Sequence, residues 1–245
     1  MKTEIRTEHK LSKYDRDSEY SYTFGIFPTF ELVEKRTQYV EKILLSTKLK
    51  ISADVEKLLN ICRERHIEIK YDDRLIERLA SKENCFVIGV FKKYTLSNHL
   101  GEKNLVLVSP SDMGNLGTIM RTMLGFGIKD LVIVKPAVDV FNPKVIRASM
   151  GAIFSLNITE YDSLGEYLSH STNKKYPFML KGKKILGTFT FDSDNVDLIF
   201  GNEASGLPDE MLDVGESVLI KHSSAIDSLN LPISVGIALY EFTKE

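Results

Sequence analysis

The sequence predicts an α/β fold: a mostly parallel sheet with helices on both faces over residues 104–245, preceded by a small α/β domain over 23–95. Three observations carry this. Short, uniformly apolar runs such as "LVLVS" (105–109) have the length and composition of strands buried on both faces. These runs alternate with segments of helical periodicity, as in βαβ units. Polar, glycine-bearing stretches follow several runs, where open parallel sheets hold their ligands.

In chain order, residues 1–22 are charged and aperiodic and read as a flexible arm. "TFELVEKR" is a short helix that Thr29 can cap, and "YVEKILLST" is a strand. "SADVEKLLNICRERH" aligns Val55, Leu58, Leu59 and Cys62 on one helical stripe, with Ser52 as cap. "IEIKYDD", "RLIERLAS" and "NCFVIGVF" give strand, helix and buried strand, and residues 96–103 a linker. The larger unit continues with helix 112–127, strand "DLVIVKP", a helix in "NPKVIRASMGAIF", strand "LNITEY" and helix "SLGEYLSHS". A basic loop, "NKKYPFMLKGKK", precedes strands "ILGTFTF", "DLIFGN" and "SVLIKH", which complete the sheet before a terminal helix, "LPISVGIALYEF".

Composition narrows the function classes. The net charge is −2, with 19 Lys and Arg against 16 Asp and Glu in residues 1–100 and an acidic excess beyond. A phosphate backbone would therefore meet the N-terminal half over the broader surface. The N-terminus carries no apolar run resembling a signal peptide, and no run is long enough to span a bilayer. Cys62 and Cys85 lack metal-ligand spacing and read as reduced core residues of a cytoplasmic protein. Walker, dinucleotide-binding and zinc-protease patterns are missing, and no metal is expected.

Three segments carry the chemistry: "GNLGTIMRT" (114–122), "GNEASGL" (201–207) and "DSLNLPIS" (227–234). In the first, Leu116, Ile119, Met120, Met123 and Leu124 form the core stripe, and Gly117, Thr118, Arg121 and Gly125 fall on another face. Asn115 is placed to cap and Gly127 to stop this helix. Arg121 then projects near a helix N-terminus with a fork of donors suited to phosphate, or else forms a routine surface salt bridge. In the second, two glycines flank a turn that a ligand can approach, with Glu203 as polar anchor. His222 is equally a plain histidine or a site residue. The third places Ser228 and Asn230 before a helix with Pro232 in its first turn. That helix carries Ile233, Ile237, Leu239, Tyr240 and Phe242, which suit core packing or a dimer interface.

In this order and spacing, the segments resemble the SpoU (TrmH-like) family of RNA ribose 2′-O-methyltransferases of the SPOUT superfamily. The matching residues are Asn115, Gly117, Arg121 and Thr122; Gly201, Glu203, Gly206 and Leu207; and Ser228, Leu229 and Asn230. Met113, Ala204 and Pro232 depart from the commoner pattern without removing a polar site residue. The resemblance covers residues 103–245, and 23–95 are similar, more loosely, to a ribosomal-protein-like substrate-binding domain. It implies a deep trefoil knot, S-adenosylmethionine as cofactor, and a homodimer whose site draws on both chains. It also implies Gly201, Ile220 and Leu229 as cofactor-binding residues, and Asn115, Arg121, Glu203, Ser228 and Asn230 as the catalytic polar set. Ribosomal RNA is the expected substrate, with transfer RNA, or a silent RNA-binding or ribosome-assembly role, as alternatives. Arg121 is then a base or a phosphate clamp.

Overall fold

The computed structural model describes residues 11–80, 84–191 and 193–244. The first ten residues of the expected arm lie outside them. Within that arm, however, a strand begins: β1 (Tyr20–Phe24) turns Tyr22 into the core. Helix α1 (Ile26–Lys35) starts earlier than a Thr29 cap allows. Gly25, at φ 96°, precedes it, and the Thr29 hydroxyl instead donates to the Gly25 carbonyl at 2.7 Å.

Then come β2 (Val40–Leu45), α2 (Ala53–Glu64), β3 (Ile69–Tyr71), α3 (Asp73–Leu79) and β4 (Val87–Lys92). Their sheet has the order β1-β4-β2-β3, antiparallel except where β2 meets β3. Alternation along β2 sends Ile43 and Leu45 against α2 and Leu44 against α3. The α2 stripe is buried, and its Ser52 hydroxyl accepts from the Val55 amide. Burial pushes the Cys62 thiol up to about 11.

The second sheet uses β5 (Lys103–Val108), β6 (Asp130–Val134) and β7 (Asn157–Tyr161). These alternate with α4 (Met113–Gly125), α5 (Pro143–Ala148) and α6 (Leu164–His170). Beyond them lie β8 (Lys174–Pro177), β9 (Lys184–Ile185), β10 (Val196–Phe200), β11 (Val218–Leu219) and α7 (Leu231–Thr243). Five strands pair in parallel in the order β7-β6-β5-β10-β8. Leu105, Leu107, Leu131 and Ile133 face the layer of α4, α5 and α7, while Val106, Val108, Val132 and Val134 face α6. Both faces are thus covered, as the apolar runs require.

Four expectations fail. The "basic loop" contains β8, which pairs with β10, and the start of β9, which pairs with β11, and four of its five lysines are matched by acids: Lys174 and Lys184 by Glu216, Lys181 by Asp209, Lys183 by Asp213. "ILGTFTF" is not a full strand; its Phe189 and Phe191 pack around Tyr176 instead. β11 stays out of the main sheet and pairs with β9 as a separate two-stranded parallel sheet. The helix in "NPKVIRASMGAIF" also ends at Ala148, since Met150 and Gly151 take positive φ before a 3-10 turn (Ala152–Ser155).

The two sheets share a core. Phe91 of β4 meets Phe154 edge-on at 5.4 Å, and Leu32 of α1 joins the same apolar cluster. On the far side, the fully buried Asp197 of β10 accepts from Asn104 (2.6 Å), Tyr167 (2.5 Å), Asn173 (3.0 Å) and Ser171. Four donors, one from β5 and three from α6 and the turn after it, share one carboxylate, so its loss strands all of them. Asp197→Ala is expected to cost about 3 kcal/mol, lowering Tm by roughly 6–12 °C in thermal unfolding. An unchanged Tm would show that the donors find other partners.

Candidate active site

The order β6-β5-β10 reverses the direction of winding at β5, and open parallel sheets hold their ligands near such a reversal, beyond the carboxyl ends of the strands. The loops leaving these strands are tied together. Asn202 donates to the Ser109 carbonyl at 2.8 Å, and its own side-chain oxygen accepts from the amides of Ala204 and Ser205. Glu203 receives the Ser111 amide (3.2 Å) and hydroxyl (2.8 Å), the Asp112 amide (3.2 Å) and the Asn115 side chain (3.3 Å). A carboxylate thus sits on the N-terminus of α4, where the helix dipole favours it. The helix is capped by Asp112, which accepts from the Asn115 amide at 2.7 Å, and not by Asn115. "SDMGN" already held the better-placed cap, which frees Asn115 to reach Glu203.

Burial raises the Glu203 carboxyl, but the hydrogen bonds from its own backbone, Ser111 and Asn115 outweigh this and hold it below the ordinary carboxylate range. A lowered folded-state pKa contributes stability that is complete above the unfolded value and lost as pH falls through the folded one. The Tm difference between wild type and Glu203→Gln is therefore expected to shrink as pH drops from about 7 to about 4 and below. A difference independent of pH, in paired thermal melts, would contradict the clasp.

A cavity of about 340 Å³ lies beside this clasp. The expected cofactor residues Gly201, Ile220 and Leu229 line it, together with Glu203, Ser228 and His222. Stacked Phe178 and Phe200 (4.4 Å between centroids, 8° between planes) supply an aromatic wall. A Cβ on Gly201 would come within 2.1 Å of the Gly206 carbonyl carbon, so the turn closes only around glycine. Gly182 meets the backbone of Val218 and Leu219 as closely, which holds two further lining segments together. Met179, Leu180 and Leu219 also line the cavity. The "loop" reading of 173–184 hid the first two, and an apolar pair inside "PFML" was the available signal.

The remaining polar residues do not line this cavity. Arg121 is exposed and lies on an open groove of about 490 Å³ with Thr118, Thr122, Gly125, Phe126 and Ala148. It has no hydrogen bond or ion pair among the described residues, so the salt-bridge alternative finds no support. Asn230 precedes α7 without a side-chain cap bond and is exposed. Asn115 faces the clasp. Gly117 is not on the Arg121 face; it is buried where α4 crosses α5, and a Cβ there would meet Ala148 at 2.5 Å and the Val145 carbonyl at 2.6 Å.

The cavity fits a nucleoside-sized molecule: apolar and aromatic walls, a glycine turn presenting backbone groups, and a few polar side chains at one end. Among the described residues, no group of three or more His, Cys, Asp or Glu is placed to hold a metal ion.

A model of the SpoU rRNA Methylase family matches residues 102–240. A protein of Synechocystis described as an uncharacterised tRNA/rRNA methyltransferase is 31% identical over 145 residues, covering 58% of this chain and 53% of its own length. The chain therefore spans about half of that relative. The 23S rRNA (adenosine(1067)-2′-O)-methyltransferase of Streptomyces laurentii is 33% identical over 194 residues, covering 75% of this chain and 72% of its own length. The SpoU methyltransferase AviRb from Streptomyces viridochromogenes, solved with AdoMet, superposes with a TM-score of 0.78 at 22% identity, over 94% of this chain and 93% of its own, which shows a shared fold.

Proposed function

The chain belongs to the SpoU rRNA Methylase family, and from that premise we propose that it methylates a ribose 2′-hydroxyl in RNA with S-adenosylmethionine as donor. The observation that carries this is the 340 Å³ cavity beyond the carboxyl ends of β8 and β10, walled by the glycine turn 201–207 and by Ile220 and Leu229. When bound there, the cofactor supplies an electrophilic methyl carbon. The chain contributes position: much of the acceleration comes from holding the hydroxyl in line with that carbon. Arg121 presents a planar fork of donors with no acceptor, and so acts as a clamp on the phosphate beside the target ribose, and not as a base. Ser228 and Asn230 orient the hydroxyl, and Glu203 is a positioning residue that fixes the α4 N-terminus against the cofactor turn.

In one protomer, Arg121 and the cavity do not share a wall. A homodimer that brings the Arg121 groove to the partner's cavity resolves this. Ile233, Ile237 and Tyr240, exposed by 56%, 38% and 63%, make a stripe along α7, which packs on α4. We further propose that the segment through β11 and α7 threads a trefoil knot; the convergence of 178–181, 201–207, 219–222 and 228–234 on one cavity supports it. Co-expressed Arg121→Ala and Gly201→Ala chains are then expected to regain roughly a quarter of wild-type activity, since half of randomly paired C2 dimers carry one intact composite site. Activity no greater than that of the separate variants would place the site within one chain.

Ribosomal RNA is the favoured substrate. The match to the Streptomyces laurentii enzyme is longer than the family segment and so runs into the N-terminal half, where the four-stranded sheet forms an added RNA-contacting unit. Transfer of labelled methyl groups from S-adenosylmethionine to ribosomal and transfer RNA, followed by alkaline hydrolysis, tests both points. Label in alkali-resistant dinucleotides from ribosomal RNA is the expected result; label in transfer RNA alone would move the substrate, and labelled mononucleotides would exclude ribose methylation.

A further inference from the structure

A second pocket, of about 150 Å³, lies at the seam between the two sheets. It is built by Arg36 to Tyr39, ahead of β2, by Tyr94 to Ser97 of the crossing segment, and by Leu156 to Ile158 at the start of β7. Because it adjoins the amino end of a parallel strand, it lies at the opposite edge of the sheet from the cofactor cavity.

Two features of this pocket are not explained by packing. The Nε of Arg36 is the one buried side-chain nitrogen or oxygen among the described residues without a hydrogen-bond partner. Its guanidinium is otherwise held, with one terminal nitrogen donating to the Leu156 carbonyl at 3.4 Å, the Tyr94 hydroxyl within hydrogen-bonding reach, and the carbon 5.4 Å from the centre of the Tyr94 ring. A buried donor is costly to leave unpaired, so Nε is the atom of this pocket that would favour a ligand bringing an acceptor. Second, Tyr39 stacks on Tyr94 at 4.7 Å and 28° yet remains only half-buried.

The size and lining select the ligand. A cavity of about 150 Å³ holds one flat aromatic ring. Leu96, Leu156 and Ile158 give apolar walls, unsuited to a hydrated phosphate, while Gln38, Ser97 and Asn157 put hydrogen-bonding groups around the pocket. Unpaired RNA bases are read by this combination of aromatic and guanidinium surfaces with polar edges. We propose that the pocket receives one unstacked base of the substrate RNA, packed against the tyrosine pair with a base acceptor on Arg36 Nε. This rests on the RNA-methylation reading, and it adds an RNA contact remote from the methyl donor.

Photo-crosslinking of the full chain to ribosomal RNA transcribed with 4-thiouridine tests it, alongside the RNA and S-adenosylmethionine affinities of Tyr39→Leu, Arg36→Met and Gln38→Ala. The expected crosslinks fall in tryptic peptides 37–42 and 94–103, which hold Tyr39 and Tyr94. Tyr39→Leu and Arg36→Met should each weaken RNA binding about tenfold with cofactor affinity unchanged, as loss of a base stack does. The exposed Gln38→Ala, which leaves the packing intact, should weaken it measurably too. Crosslinks only elsewhere, with wild-type RNA affinity in the variants, overturn the pocket and leave the methylation reading standing. No RNA binding by the wild-type protein overturns both.

Discussion

Replacing Arg121 by alanine is expected to lower methyl transfer by about 10²–10³-fold while S-adenosylmethionine affinity stays within about twofold. The side chain is exposed on its groove, has no partner among the described residues and lies outside the 340 Å³ cavity, so its removal empties no packed space and touches no wall of that cavity. In the proposed clamp role, what it removes is the planar fork of donors offered to the phosphate beside the target ribose. Arg121→Lys keeps the charge and loses the fork, and an intermediate loss of about tenfold is expected. Full turnover in Arg121→Lys with unchanged RNA affinity would show that charge alone suffices.

Gly201→Ala is expected to raise the S-adenosylmethionine Kd at least about tenfold, or about 1.4 kcal/mol. The new Cβ would sit 2.1 Å from the carbonyl carbon of Gly206 and 2.3 Å from the Leu207 nitrogen, both backbone atoms that no rotamer change can move. The turn must open, and with it the wall of the cavity. Gly165→Ala is the matched control. Its Cβ meets nothing within 4 Å, on a helix where alanine is preferred, and cofactor affinity should be unaltered. Equal affinity in both variants, by calorimetry, would remove the 201–207 turn from the cofactor site.

The main sheet was legible because its strands are buried on both faces. "LVLVS" and "DLVIVKP" need no partner to be recognised, and α4 announces its stripe through Leu116, Ile119, Met120 and Met123. What escaped depends on contacts between distant segments. Lys174 and Lys184 look like solvated charge until Glu216 is folded onto both of them. Tyr20 to Tyr22 fall in the charged arm read over residues 1–22, and only pairing with β4 makes them part of a strand. The site divides the same way. Glu203 and Gly201 stand out in a short loop, but the need for glycine at 117 and 182 arises from α5 and from β11, which local periodicity cannot see. Asn115 was misplaced as a cap for the opposite reason: Asp112, a stronger local candidate, already occupied that role.

The most direct test of ribose methylation by this chain is a transcript-wide map of 2′-O-methylation in cells with and without it. One ribosomal RNA position is expected to lose its methyl group, regaining it with the wild-type chain and not with Arg121→Ala. An unchanged map, or restoration by Arg121→Ala as complete as by wild type, would contradict the chemistry assigned to this site.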